Sequence, residues 1–576
     1  MNGLQKQFDN NIIKYRNNQQ MKHRVSVIVM LLALAVTSVW AQPAPVKKAA
    51  ASVFSLTTFA KDGTILGSTH GVFTGKNGEA MAMWQPFVGA DHAVAIDAKG
   101  NKHEVDVMMG ISELYDVCLF RVKGNVPGAL ELTASDAAAN NVYTVGYDLK
   151  KPVIKKLTPV RTEKFMETNN YYVFNDKDVS GNDLGCPVVN EQGQLLGIMQ
   201  RPANGGQAFA TDARIIKSFV VSGLSINDKT FRATGIRTAL PTDQQQAALT
   251  LMLARQQGDS LRQVQYVNDY IEMFPTATEG YTALAEMHID LKQLAEADKT
   301  LQKEVKQAAK KDEAYYDYAR LVYQSTVFKI DTTYTAWNLQ KALELSEQAS
   351  KVNPLPIYKH QQAQIIYAQG DYQKALDMFT QLQKTELGKN GEVFYEAAQC
   401  KTKLKAPQEE VIQLLDSAVA AQDGAISAPY VLARGRLLDL AGESRKAYMD
   451  YLKYDTLMHL NASADFYYMR YQCGVKIHQY QMALNDIAHA IVLNRFEPTY
   501  YAEMASLQVR VNQFDNAIKT CDIAIRMAPE YADLYIIKGV AACELGQKEE
   551  GLAALKKAKE LGDERADQLI EKYEKK

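Results

Sequence analysis

A repeat of fixed length constrains this chain more than any other feature. Tyr467, Tyr501 and Tyr535 stand 34 residues apart. The same interval separates Tyr480, Phe514 and Lys548, then Ala483, Ala517 and Gly551, then Ala490, Ala524 and Ala558. A unit of this size holds two short helices and their turns, and it buries its apolar face only against the next unit. The helical periodicity extends upstream with weaker copies: Pro241–Pro275, Tyr281–Leu301, Tyr315–Pro354, Ile357–Phe379, Phe394–Leu414 and Tyr430–Tyr451. Tyr315–Pro354 carries an insertion around Ser325–Thr335, because Ala319 and Ala342 stand too far apart. About eight or nine units follow, enough to stack into a superhelix. The charged stretch Asp563–Lys576 reads as a closing helix.

The pattern resembles tetratricopeptide repeats (TPR): an aromatic near the start of the first helix, small residues where the two helices touch, an aromatic opening the second, and a proline such as Pro529 at the end. The resemblance implies a concave face lined by first-helix residues. These are Tyr468, Gln472 and Lys476, then Ala502, Ser506 and Arg510, then Ile536, Val540 and Glu544. Of these, Tyr468, Gln472, Lys476, Ser506 and Arg510 are the expected binding groove, suited to an extended peptide or a partner helix. The repeated asparagines and lysines that clamp a C-terminal carboxylate in some such arrays are missing.

The N-terminus reads as an address. Met21-Lys22-His23-Arg24 is a basic segment, Val25–Val36 is apolar, and Ser38–Ala41 is a small-residue cleavage site before Gln42. That is a secretory signal peptide, too short for a membrane span. Met1–Gln20 is polar and Asn-rich, so Met21 is the expected start of translation. The mature chain is expected to be exported without a transmembrane anchor, most simply to a periplasm. Net charge is −1, which argues against a nucleic-acid partner. None of the six cysteines shows CxxC spacing, so no metal site and no cofactor are expected.

Between these parts the chain alternates short β-branched and aromatic runs with turns such as Lys61-Asp62-Gly63 and Ala98–Asn101, the pattern of an all-β barrel or sandwich. Several motifs fall in a familiar order. Gly67–Phe73 is followed by the turn Lys76-Asn77-Gly78, then by Ala82–Phe87 with Gly89-Ala90. Asp116–Val122, Thr144–Tyr147, the loop and hairpin Val179–Ile198, and Phe209–Asp212 with Ala213–Val220 complete the series. The region resembles the trypsin-like serine proteases of the Deg/HtrA branch. The resemblance implies a double β-barrel and a Ser-His-Asp triad, but Gln85 stands at the histidine and Leu184 at the serine, and only Asp116 is retained. Glutamine has no useful basic lone pair and leucine has no proton to lose, so neither does triad chemistry. Ser180 is the fallback nucleophile in a lengthened loop. His70 and His92 are the imidazoles nearby in sequence, and neither stands where the family places its base. Cys186 occupies a glycine slot with no base assigned and reads as a small residue.

The expectation is a multidomain chain: a trypsin-like all-β double barrel followed by an all-α TPR superhelix. Its parts are a leader over 1–41, a linker over 42–51, the protease-like domain over 52–225, a linker over 226–240 and the repeats over 241–576. The expected function is an exported, non-catalytic protein-binding scaffold that organises an envelope complex or binds exported polypeptides. The alternatives are an active serine endopeptidase using Ser180 and a periplasmic holdase chaperone.

Overall fold

The computed structural model describes residues 42–134, 140–148, 151–165, 169–201 and 206–576; the leader and signal peptide lie outside them. The chain divides into two units, residues 1–284 and 285–576.

The first unit opens with a closed six-stranded barrel. Its strands are β1 (Val53–Phe59), β2 (Ile65–Phe73), β3 (Glu79–Met83), β4 (His92–Asp97), β5 (Lys102–Ser112) and β6 (Val117–Val122). They run in the order β1-β2-β3-β6-β5-β4, and β1 pairs with β4 to close the ring. Alternation explains the filling. In β1, Phe54 and Leu56 point inward, where they meet Phe73, Ala82, Phe87 and Phe120. At Gly71 a side chain would collide with the Phe54 ring at 2.5 Å, so the close strand-to-ring contact requires glycine there.

Seven further strands form one sheet: β7 (Val142–Asp148), β8 (Lys151–Leu157), β9 (Arg161–Phe165), β10 (Asn169–Val173), β11 (Pro187–Asn190), β12 (Leu195–Gln200) and β13 (Phe209–Asp212). Their order is β8-β7-β11-β12-β13-β10-β9. A second barrel was expected, but among the described residues β8 and β9 remain edges. β8 carries Pro152, which has no N–H to donate, and three lysines, both features of strands that stay unpaired.

Two segments read as linkers are packed elements. Residues 42–51 contain helix α1 (Ala44–Ala49), whose Val46 and Ala49 are buried against Val189 and Leu195. Residues 226–240 lie along the barrel: Met108 N–H donates to the Arg237 carbonyl, and Ala239 N–H to the Met108 carbonyl. The Arg237 side chain is only 9% exposed, and its guanidinium meets Asp106 at 2.9 Å and also pairs with Asp269. The charge of this segment's Arg237 is neutralised in place.

Helices follow in antiparallel pairs. The pairs are α2 (Gln244–Gln256) with α3 (Ser260–Met273), α4 (Glu279–Asp290) with α5 (Leu294–Gln307), and α6 (Lys311–Val327) with α7 (Leu339–Val352). Next come α8 (Pro356–Gln369) with α9 (Tyr372–Leu382), α10 (Glu392–Lys403) with α11 (Gln408–Ala421), and α12 (Ala428–Leu440) with α13 (Ser444–Leu457). The last three pairs are α14 (Ala464–Lys476) with α15 (Tyr480–Leu493), α16 (Pro498–Arg510) with α17 (Phe514–Met527), and α18 (Ala532–Glu544) with α19 (Lys548–Glu560), before a terminal α20 (Arg565–Lys575). The first helices of those last pairs begin 34 residues apart, at Ala464, Pro498 and Ala532. The turn inside most pairs carries one left-handed residue: Lys292, Gly370, Lys405, Gly442, His478, Asn512 or Gly546. That conformation ends the first helix and reverses the chain. Small residues then let the pair close: Ala483, Ala517 and Ala490 are fully buried. The insertion is an extended α6 plus a loop pinned by Trp337, whose indole donates to Asp298 at 2.7 Å.

The Arg237 pairing sets an acid limit on the first unit. Burial opposes ionisation of Asp106, but the guanidiniums of Arg237 and Arg121 outweigh it and hold its carboxyl below the ordinary 3.8. A depressed carboxylate contributes stability that is complete above its unfolded value and is lost as pH falls toward the folded one. Asp106→Asn is therefore expected to destabilise the first unit by about 2 kcal/mol at pH 7, with the difference from wild type shrinking below pH 4. Thermal melts from pH 7 to 3 check this. A pH-independent difference would disprove the linkage.

Candidate functional site

A cleft of about 620 Å³ opens in the first unit between the barrel and the seven-stranded sheet. Thr69 and His70 from β2, Gly146 and Tyr147 from β7, Lys155 from β8 and the loop around residues 180–186 line it.

The loop is folded on itself. Ser180 caps a 3-10 turn over Gly181–Asp183: its N–H and its hydroxyl donate to Asp183 Oδ2 at 2.7 and 2.8 Å. Asp183 also faces Lys155 at 3.1 Å. Burial opposes its charge, yet the bonds from Ser180 and Lys155 hold its pKa down. The Ser180 hydroxyl thus points at an ionised carboxylate, a weak base, and acts as a helix cap. Every amide from Asp183 to Cys186 has a carbonyl acceptor: Asp183 N donates to Ser180, Leu184 N to Gly181, Gly185 N to Met199 and Cys186 N to Asp183. Gly185 takes φ +78°, and a side chain there would strike the Thr69 hydroxyl. Leu184 packs its side chain against the cluster containing Val142, Tyr172 and Phe174.

Gln85 and Asp116 stand together, but not among the residues lining this cleft. Asp116 sits at φ +48° in the β5–β6 turn, and its Oδ1 accepts the Gln85 N–H at 2.7 Å. Burial raises its pKa against the amide bonds from Gln85 and Trp84. The carboxylate caps the short turn Gln85–Phe87, and the Gln85 side chain is exposed. His92 pairs with Asp91 and stacks on Phe59 at 5.0 Å, away from the cleft lining.

His70 and Cys186, which the sequence left unconnected, face each other in the cleft. Cys186 Sγ lies 3.5 Å from His70 Nδ1 and 3.5 Å from the Asn182 carbonyl. Tyr147 meets His70 Nε2 with both its N–H, at 3.1 Å, and its carbonyl oxygen, at 3.3 Å. Burial lowers the imidazole pKa, against the Tyr147 carbonyl. Burial, then Asp183, pushes the thiol up to about 12. A neutral imidazole beside a protonated thiol is not an activated thiolate–imidazolium pair. No sequence signal joins residues 116 positions apart.

In the helical array the expected groove residues lie along the first helices. The Tyr468 ring meets Tyr500 at 5.1 Å, and its hydroxyl reaches Glu503 at 3.5 Å. Lys476 is held by Asp439 at 2.7 Å, and the Arg510 guanidinium lies 5.2 Å above the Tyr480 ring. Gln472 and Ser506 are exposed. Sequence reasoning missed Tyr471, whose hydroxyl donates to Glu503 at 2.9 Å. It also missed Arg470, which is buried between Asp455 and Asp486 at 2.8 and 2.6 Å.

The Cys186 geometry predicts slow chemistry. At pH 7.5 the folded chain is expected to react with iodoacetamide at Cys186 more than about 100-fold slower than the unfolded chain does. Mass spectrometry of the Cys186 peptide reads this, and equal rates would refute a protonated, buried thiol.

Comparison with known proteins places these features. Residues 503–566 match the family model described as tetratricopeptide repeat. A small glutamine-rich tetratricopeptide repeat-containing protein 2 of Saccharomyces cerevisiae is 31% identical over 96 residues, which is 16% of this chain and 28% of that relative. The chain thus matches less than a third of that relative's length. Among solved structures, YrrB, a TPR protein with an unusual peptide-binding site, is similar at 18% identity and TM-score 0.30, covering 34% of this chain and 97% of its own. The serine endoprotease from Yersinia pestis is similar at 17% identity and TM-score 0.26, covering 33% of this chain and 65% of its own. The chain is therefore a β-barrel region followed by an all-helical, TPR-like array, with tetratricopeptide repeat sequence in its C-terminal part.

Proposed function

We propose that this protein is an exported, non-catalytic scaffold: a trypsin-like pseudoprotease region joined to a TPR array that holds polypeptide partners and organises an envelope complex. One observation carries the non-catalytic half. The amides from Asp183 to Cys186 are all bonded internally, so the loop that would hold an attacking residue offers none of them to a developing oxyanion. Electrostatic stabilisation of that oxyanion is usually the largest single contribution to acyl transfer. Loss of the serine and histidine is thus matched by loss of the backbone machinery.

The binding half rests on the repeat match over 503–566 and on exposed first-helix residues such as Gln472 and Ser506. A stacked array presents a continuous face built for extended chains or helices. Export rests on the leader read from Met21 to Ala41, and a periplasmic site is the simplest destination.

Two experiments test the proposal. The purified full chain, treated with a fluorophosphonate probe beside trypsin, is expected to remain unlabelled. Stoichiometric label on Ser180 would make it a peptidase. A photocrosslinker placed at Gln472 in the native cell is expected to capture one or a few partners from the envelope fraction. A dispersed set of unfolded clients would favour a holdase, and recovery of the chain only from the cytoplasm would overturn export.

A further inference from the structure

The first helices of neighbouring pairs bring three metal-ligating side chains to one point. Glu392 and Glu396 stand one turn apart on α10, and so share a face. His360 projects from α8, and its Nε2 lies 2.5 Å from Glu396 Oε2. One ligand atom from each of the three lies within 4.8 Å of the others. We propose that His360, Glu392 and Glu396 form a binding site for one divalent transition-metal cation, of which zinc is the representative.

The surroundings suit such a site. A tetrahedral cation bonded at about 2.0–2.1 Å holds its ligand atoms about 3.3 Å apart, so the set completes when His360 Nε2 and Glu396 Oε2 open from 2.5 Å and the Glu392 side chain closes. Gln364 donates to the other oxygen of Glu396 at 2.7 Å, the kind of outer hydrogen bond that orients a metal-binding carboxylate. The His360 ring is 7% exposed and set edge-on to Phe379 at 5.9 Å, which fixes the direction of Nε2. Glu392 is the exposed member of the cluster, leaving a side of the site open to an ion and its waters. One imidazole with two carboxylates favours zinc and its neighbours over magnesium, whose sites are built of oxygen ligands. The alternative is an imidazole–carboxylate pair that only ties α8 to α10.

The test is calorimetric titration of the chelator-treated full chain with zinc chloride, beside magnesium chloride. A saturable site is expected for zinc and none for magnesium over the same range. Glu392→Gln and His360→Gln should each weaken zinc binding at least tenfold. Glu392→Gln is the deciding variant, because Glu392 is the exposed member of the cluster and the thermal melt of the variant should match wild type. Absence of saturable zinc binding overturns the proposal. So does unchanged affinity in Glu392→Gln, which would place the ion on the free cysteines, and so does magnesium binding as tight as zinc, which would leave the cluster a general cation trap.

Discussion

One buried amide joins the barrel and the seven-stranded sheet of the first unit. Gln200, at the end of β12, is 4% exposed. Its Nε2 donates to the carbonyls of Tyr115 and Asp116 at 3.0 and 2.9 Å, and its Oε1 accepts the Thr211 hydroxyl at 2.8 Å. This side chain ties the open sheet to the one turn of the barrel that takes a left-handed aspartate. An unpaired buried carbonyl costs about 1–3 kcal/mol, and this amide serves two of them, the Asp116 carbonyl jointly with the Trp84 N–H. The shared cluster of Val53, Val72, Met81 and Val117 with Tyr143, Val145, Val189 and Ile198 supplies the apolar burial around it.

The helical array was legible because its information is local and repeated. A period in the sequence is a period in space when each unit packs only on its neighbours, and even the insertion was visible as a broken interval. What escaped was specific to side chains: the buried Arg470 between two aspartates, and Trp337 closing the inserted loop. In the strand-rich half the strands were legible from their alternation, but closure was not, since closure depends on whether two edges meet. The linker readings failed for a simple reason. Val46 and Ala49, or Arg237, are single residues in polar surroundings, and a single anchor leaves no periodic trace. The cap at Ser180 did leave one, a serine followed three residues later by an aspartate. The His70–Cys186 contact left none.

The chemistry of the cleft is set by backbone as well as side chain. The loop over residues 183–186 is stabilised by bonds that consume its amides, and Leu184 packs on the Val142 cluster at the edge of the cleft. Asp116 caps the Gln85 turn. Each of these residues carries a packing or capping task.

The open edge of β8 has a further consequence for how copies of this protein meet. Among the described residues no strand pairs with its outer side, where the Ile154 carbonyl accepts from the Gln42 amide, and a strand edge of this kind is a template on which another strand can grow. Lys151, Lys155 and Lys156 lie on this strand beside Pro152. Bringing two such edges together sets like charges face to face and leaves a missing donor in the ladder. The sheet thus discourages its own kind, which makes β8 a colloidal safeguard as much as an edge.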